Sequence, residues 1–235
     1  MSIVFEGKTY TQEALMDHVW DIEDIMELMN RRVFYMAKGL IMQELDDLWV
    51  KDPEYQATAS FGGNYGFYRG MDEIRRYYSS RPNASKPGYS NIAPASTPVV
   101  VVAGDGKTAQ GIWYSMAEET SDGKAIWNTG KIAADLVREN GEWKFWHIAL
   151  GTDFVCGAGE HLDVQPRRYA PGEDPVQQAF GTPTISMLAH DTSFHWSDDW
   201  PPMPTDYETF TDSISYGPEG YRSNITRPKE AVIYE

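Results

Sequence analysis

The chain has 235 residues, 35 of them acidic and 20 Lys or Arg, for a formal charge of −15. A surface of that sign, with no Lys/Arg-rich run, repels phosphate backbones and anionic headgroups, so neither nucleic acid nor membrane is an expected partner. The single Cys156 excludes an internal disulfide framework and a cysteine-based zinc site.

No run approaches the roughly 18 apolar residues of a membrane span. The opening "MSIVFEGKTYTQ" lacks a basic segment followed by an apolar one, so a cytoplasmic setting is expected. Further in, Ile22, Ile25, Met26, Met29, Val33, Met36 and Ala37 recur at helical spacing, and the acidic "DIED" suits the positive end of a helix dipole. Gly39 marks a break, and "LIMQELDDLW" predicts a second helix with Leu45, Leu48 and Trp49 inward. "EYQATASFGGNYGFY" reads as a strand with a Gly-rich turn, "GMDEIRRYYSS" as a short helix, and "RPNASKPGYSNIAPAS" as a loop. Two hairpins follow. "TPVVVVA" and "KTAQGIWYSMAEE" are joined by "GDGK"; "AIWNTGKIAADLVRE" and "EWKFWHIALGTDF" are joined by Asn140-Gly141, which suits a two-residue turn. Helices first and an antiparallel sheet last define an α+β domain.

Proline divides the chain: residues 1–154 hold five, and residues 155–235 hold nine. The expected organisation is a compact domain over 1–154 and an irregular Pro- and aromatic-rich arm over 155–235. Phe180, Phe194, Trp196, Trp200, Tyr207, Phe210, Tyr216 and Tyr221 argue against disorder, which is aromatic-poor. Such an arm is expected to pack on its own domain or across a subunit boundary. A homo-oligomer, dimer or trimer, is expected through the apolar Trp146, Ile148 and Leu150 face of the last strand.

The order of these elements resembles the SnoaL-like branch of the nuclear transport factor 2-like superfamily. The stretches that carry the resemblance are "MNRRVFYMAKGLIMQELDDLWVKDPE", "GFYRGMDEIRRYY", "TPVVVVAGDGKTAQGIWYS" and "GKIAADLVRENGEWKFWHIA", within residues 20–154. The resemblance implies a curved sheet wrapped around a cone-shaped pocket that the helices close. It implies no single activity, since the superfamily includes dehydratases, isomerases, cyclases, lyases and non-catalytic carriers. Family dehydratases commonly use an Asp late in the first helix and a His at the start of the central strands. Here the first place falls on Ala37 or Lys38, and "NIAPASTP" offers no His.

Counting outward from Asn140-Gly141 pairs Leu136 with Phe145 and Ala134 with His147. One face then carries Ile132, Ala134, Leu136, Trp143, Phe145, His147 and Ala149, an apolar wall with one titratable group. His147 is therefore a candidate general acid or base, against the alternative of a hydrogen-bonded core histidine. The other face carries Lys131, Ala133, Asp135, Trp146 and Ile148. Lys131 and Asp135 form a structural pair there, unless a bulge at Thr129-Gly130 turns Lys131 into the pocket as an acid or oxyanion stabiliser.

At 100° per residue Tyr35 lies about 220° around the first helix from Ile22, a candidate phenolic acid or a half-buried anchor. Asn64 and Tyr65, near the cone mouth, and the rings Trp113, Trp127 and Phe145 are candidate substrate contacts. Glu44 is a minor candidate base. His190, Asp191, His195, Asp198 and Asp199 invite a metal reading but lie in the irregular arm, and no phosphate loop is present, so neither metal nor cofactor is expected.

The expected function is a cofactor-independent lyase that eliminates water, or water plus a C1 unit, from a small hydroxylated aromatic. The diarylpropane lyases of lignin-dimer breakdown resemble this chain in fold branch and ring-rich composition. The alternatives are a non-catalytic binding or assembly protein, and an isomerase or cyclase of polyketide- or steroid-like substrates.

Overall fold

The computed structural model describes residues 2–5, 7–63, 66–81, 88–121, 124–159, 184–186 and 201–220. A hairpin of β1 (Ser2–Phe5) and β2 (Lys8–Thr11) leads into α1 (Gln12–Ala37). The helix begins almost three turns before the apolar period announces it. Thr11 caps it by accepting from the Ala14 amide at 3.1 Å. Met16, Val19 and Trp20 in those first turns are exposed, so they add nothing to the buried stripe.

After α2 (Ile41–Leu48), the expected strand is preceded by a helix, α3 (Pro53–Thr58). Its signal was available in the sequence: Asp52 caps through the Glu54 amide, and Pro53 occupies the first helical position. The strand then splits into β3 (Ser60–Gly63) and β4 (Gly66–Arg69), followed by α4 (Met71–Ser80).

The remaining strands are β5 (Ser90–Ile92), inside the expected loop, β6 (Ala95–Val102), β7 (Thr108–Ser121), β8 (Lys124–Glu139), β9 (Glu142–Gly157) and β10 (Ile185–Ser186). With β3 and β4 they form one eight-stranded sheet in the order β10-β4-β3-β9-β8-β7-β5, with β6 also on β7. All pairings are antiparallel except β3 with β9. The helices fill the inner side of the sheet. Ile25, Met29, Leu45, Leu48, Trp49, Tyr78, Leu136, Phe145 and Ile148 form its dry core. This is the α+β cone that the element order implied.

The Asn140-Gly141 turn forms with φ of 51° and 87°, and Leu136 pairs with Phe145 as counted. One residue further the register shifts, because Trp146 is an extra residue in β9. His147 therefore pairs with Asp135, not with Ala134. A bulge reverses the parity of everything beyond it. Ile148 points into the core and Leu150 toward the cone, so the Trp146, Ile148 and Leu150 face does not exist as an outer apolar surface. His147 moves to the outer face with Lys131, Ala133 and Asp135.

That outer face is covered by the arm. Gly104 and Asp105 donate backbone hydrogen bonds to Tyr207 and Glu208, and Phe210 packs 4.9 Å from the Trp146 ring. Tyr216 joins Phe67, Ile112, Ala133 and Ala149 in a second apolar cluster. Arg69 pairs with Glu219 at 2.7 Å. Trp196 and Trp200 lie outside the described residues.

Candidate functional site

Among the described residues two polar clusters are buried, one on each side of the sheet. The outer one is built on Asp135, which has no solvent exposure. Its Oδ1 accepts from Gln110 Nε2 at 2.7 Å. Its Oδ2 lies 2.8 Å from His147 Nδ1 and accepts from Ser215 Oγ and the Tyr216 amide, each at 2.8 Å. His147 Nε2 is 3.2 Å from the Thr58 carbonyl, so both ring nitrogens face oxygen acceptors. The ring stacks on Trp146 at 4.2 Å.

Ser, His and Asp meet here, yet the arrangement is not that of a nucleophile. A catalytic serine bonds to the nitrogen opposite the one held by the carboxylate. Ser215 and Asp135 instead share Nδ1, with Ser215 Oγ at 3.2 Å, and the hydroxyl gives its proton to Asp135 while accepting from the Gly217 amide at 2.8 Å. Sequence reasoning missed Ser215, which no local pattern marks. This cluster clamps the arm to the sheet.

The inner cluster joins three helices. Arg32 of α1 and Glu44 of α2 are both buried, with Arg32 Nε 3.1 Å from Glu44 Oε1. Tyr78 of α4 donates to the same Oε1 at 3.0 Å, and Trp49 Nε1 lies at 3.4 Å. Among the described residues Glu44 Oε2 has no hydrogen-bond partner, and Arg32 Nε has no aligned one. Burial pushes the Glu44 carboxyl up from its ordinary value, against the pull of Arg32. Burial also pushes the Tyr78 phenol well up. Of the ion pair it is the carboxyl that gives, because a guanidinium keeps its proton in proteins. Arg32 was legible as an anomaly: it sits between Met29 and Met36 on the buried stripe of α1.

Arg32 also lines a cavity of about 80 Å³ between α1 and the inner face of the sheet. Arg81, Asn91, Glu119, Asn128 and Thr152 are among its other lining residues. Arg81 pairs with Glu119 at 3.3 Å. This is the mouth of the cone. A larger groove of about 630 Å³ lies at the outer edge, by the β1–β2 hairpin, but ion pairs of the chain itself occupy its walls, Lys8 with Asp206 and Arg138 with Asp21.

The expected site residues disperse. The Tyr35 hydroxyl donates to Asp47 at 2.7 Å, tying α1 to α2. Lys131 borders the cavity, but its Nζ turns to the Pro201 carbonyl of the arm at 3.3 Å. Trp113 and Phe145 are core residues, the first lying over Gly111 and the second 6.1 Å from the Trp49 ring. Trp127 is 41% exposed and does not line the cavity. Asn64 and Tyr65 lie outside the described residues, as do His190, Asp191, His195, Asp198 and Asp199. Cys156 is buried and unbridged. Among the described residues no helix is long and apolar enough to cross a membrane.

The model of the SnoaL-like domain family matches residues 17–149. No curated protein matches the chain. Among solved structures, a Novosphingobium aromaticivorans protein provisionally assigned as a scytalone dehydratase shares the fold at a TM-score of 0.50 and 13% identity. That match covers 61% of this chain and 91% of the other. A type 2 hexachlorocyclohexane dehydrochlorinase aligns at 0.49 and 16% identity, over 64% of this chain and 97% of that one. The hub homology domain of a Chlamydomonas calcium/calmodulin-dependent kinase aligns at 0.44 and 13% identity, covering 55% and 96%.

Proposed function

Since the chain belongs to the SnoaL-like domain family, we propose that its cone cavity is the active site of a cofactor-independent lyase or isomerase acting on a small hydroxylated aromatic. The observation that carries this reading is one cavity bordered by a carboxylate, Glu119, and two guanidinium groups, Arg32 and Arg81. Elimination and isomerisation need a base for a carbon- or oxygen-bound proton and a cation where negative charge develops. In this proposal Glu119 is the base, Arg81 beside it stabilises the developing oxyanion, and Arg32 binds the substrate. Asn91 and Asn128 orient the substrate by hydrogen bonds. No step calls for a metal or a nucleotide.

His147 is not given the proton-transfer role, because Asp135 and Thr58 occupy both of its nitrogens. Lys131 and Tyr35 are likewise engaged, with Pro201 and Asp47. A lignin-type diarylpropane is the specific substrate we put forward, with its polar reactive end in the cone and its rings at the mouth. The volume sets that pose: a cavity of about 80 Å³ is smaller than the ~150 Å³ that holds benzene. The same volume favours a second reading, a binding or assembly protein without turnover.

A panel of aryl compounds with benzylic hydroxyls, followed by the absorbance of a new conjugated double bond, separates the two. Under the catalytic reading Glu119→Gln loses about 10²–10⁴ in rate while its melting temperature is unchanged. A Glu119→Gln protein with the wild-type rate ends the assignment of the base, and a panel with no product favours the second reading.

A further inference from the structure

We propose that the cone receives a carboxylate of its ligand on Arg32, and that Glu44 is the positioning residue that presents this guanidinium. The inference rests on the reading of the cone as the binding cavity and names the charge of what enters it.

The first argument is placement. A long cation is almost never fully buried unless it is paired, and Arg32 is 4% exposed on an otherwise apolar helix stripe. The second is that its pairing is incomplete. A guanidinium–carboxylate pair that serves only stability favours two parallel N–H···O bonds. Here Arg32 Nε meets Glu44 Oε1 without alignment, the Tyr78 hydroxyl is the guanidinium's other partner, and among the described residues Glu44 Oε2 receives no donor. Tyr78 and Trp49 crowd onto Oε1 and fix the carboxyl from behind. Glu44 is thus anchored by two rings, and it steadies Arg32 by one edge only.

The third argument is charge. The chain carries −15 overall, yet the cavity lining holds Arg32 and Arg81 against the single carboxylate of Glu119. Burial pushes Glu44 toward its neutral form, which leaves Arg32 less compensated still. Asn91, Asn128 and Thr152 add neutral hydrogen-bonding groups to the same walls. A planar anion matches that lining better than a neutral ligand of equal size.

Titration calorimetry with benzoate and with benzamide, its neutral counterpart of similar shape, tests this on the full chain. Wild type is expected to bind benzoate about tenfold more tightly, the worth of one charge-assisted hydrogen bond. Arg32→Met should erase the preference, and Arg31→Met, an exposed neighbour on α1, should keep it. Glu44→Gln, which retains an oxygen for Tyr78 and Trp49, should keep the preference, whereas Glu44→Leu should lose it.

If Arg32→Met fails to fold, Ala117→Leu decides the site, since it narrows the cavity without touching Arg32 and should remove benzoate binding. Equal affinity for benzoate and benzamide in wild type overturns the proposal. A Glu44→Leu protein with the full preference overturns the positioning role. Benzoate preference without turnover of any aromatic alcohol supports this inference and counts against the catalytic reading; turnover without the preference does the reverse.

Discussion

Asp135 and Glu44 are both carboxylates with no solvent exposure, and the protein treats them differently. Asp135, under the arm, has four partners shared between its two oxygens, and its neighbours His147 and Ser215 are themselves bonded on the far side. Glu44, behind the cone, has among the described residues three contacts on one oxygen and none on the other, and its arginine reaches a cavity. A closed network rigidifies, because every group has exchanged water for a protein partner. An open one beside a cavity retains capacity for a ligand. In the proposed reading the cluster with the more familiar catalytic residue types is the structural one, and satisfaction of hydrogen bonds, not residue type, is what separates the two.

The hardest way to break this comparison is at Asp135. Asp135→Ala leaves His147 Nδ1, the Ser215 hydroxyl and the Tyr216 amide without this acceptor and Gln110 with the Ile214 carbonyl alone, at about 1–3 kcal/mol for each orphaned group. Urea unfolding should show that loss, and limited proteolysis should cut the arm near residues 207–217 in the variant before wild type. An Asp135→Ala protein as stable as wild type contradicts the clamp.

His147→Ala comes next. It strips partners from Asp135 and the Thr58 carbonyl, at about 1–3 kcal/mol for each orphaned group. Turnover per folded molecule should stay within about threefold, below the 10² that marks loss of a proton-transfer group. A folded His147→Ala protein without activity reverses the assignment of the two clusters.

Ser215→Ala removes one neutral hydroxyl and is expected to cost about 1 kcal/mol, visible as a lower urea midpoint with unchanged cavity binding. If benzoate or substrate affinity falls with it, the arm and the cone are coupled.

The smallest effect is in pH. The folded-state pKa of Glu44 is raised above its ordinary 4.5, with burial as the main cause. The stability linked to its proton is therefore complete below the ordinary value and is lost as pH rises through the folded value. Wild type should lose stability relative to Glu44→Gln as pH is raised above 4.5, and parallel curves would show that burial does not hold the carboxyl up.

Much of the architecture was written locally. The apolar stripe of α1, the break at Gly39, the short α4 and the Asn140-Gly141 turn each follow from spacing and turn chemistry within a few residues. The cone fold follows from their order. Arg32 stood on a buried stripe, where a charged residue is out of place and so a signal in its own right. Asp52-Pro53-Glu54 announced a helix start that the strand reading passed over.

What the tertiary structure alone decided is which side chains share a space. Strand parity has period two, so one extra residue, Trp146, sends His147 from the expected cone wall to the opposite face. That bulge is held by distant partners: Trp146 donates to Thr58 Oγ1 at 2.9 Å and packs on Tyr55 and on Phe210 of the arm. Ser215 reaches His147 across 68 residues, and Glu44 meets Tyr78 across 34. Local pattern fixes what each segment becomes, because helix and strand periods are short-range properties of the backbone. It does not fix whether a buried polar group is satisfied, since the partners come from elements that only the folded core brings together.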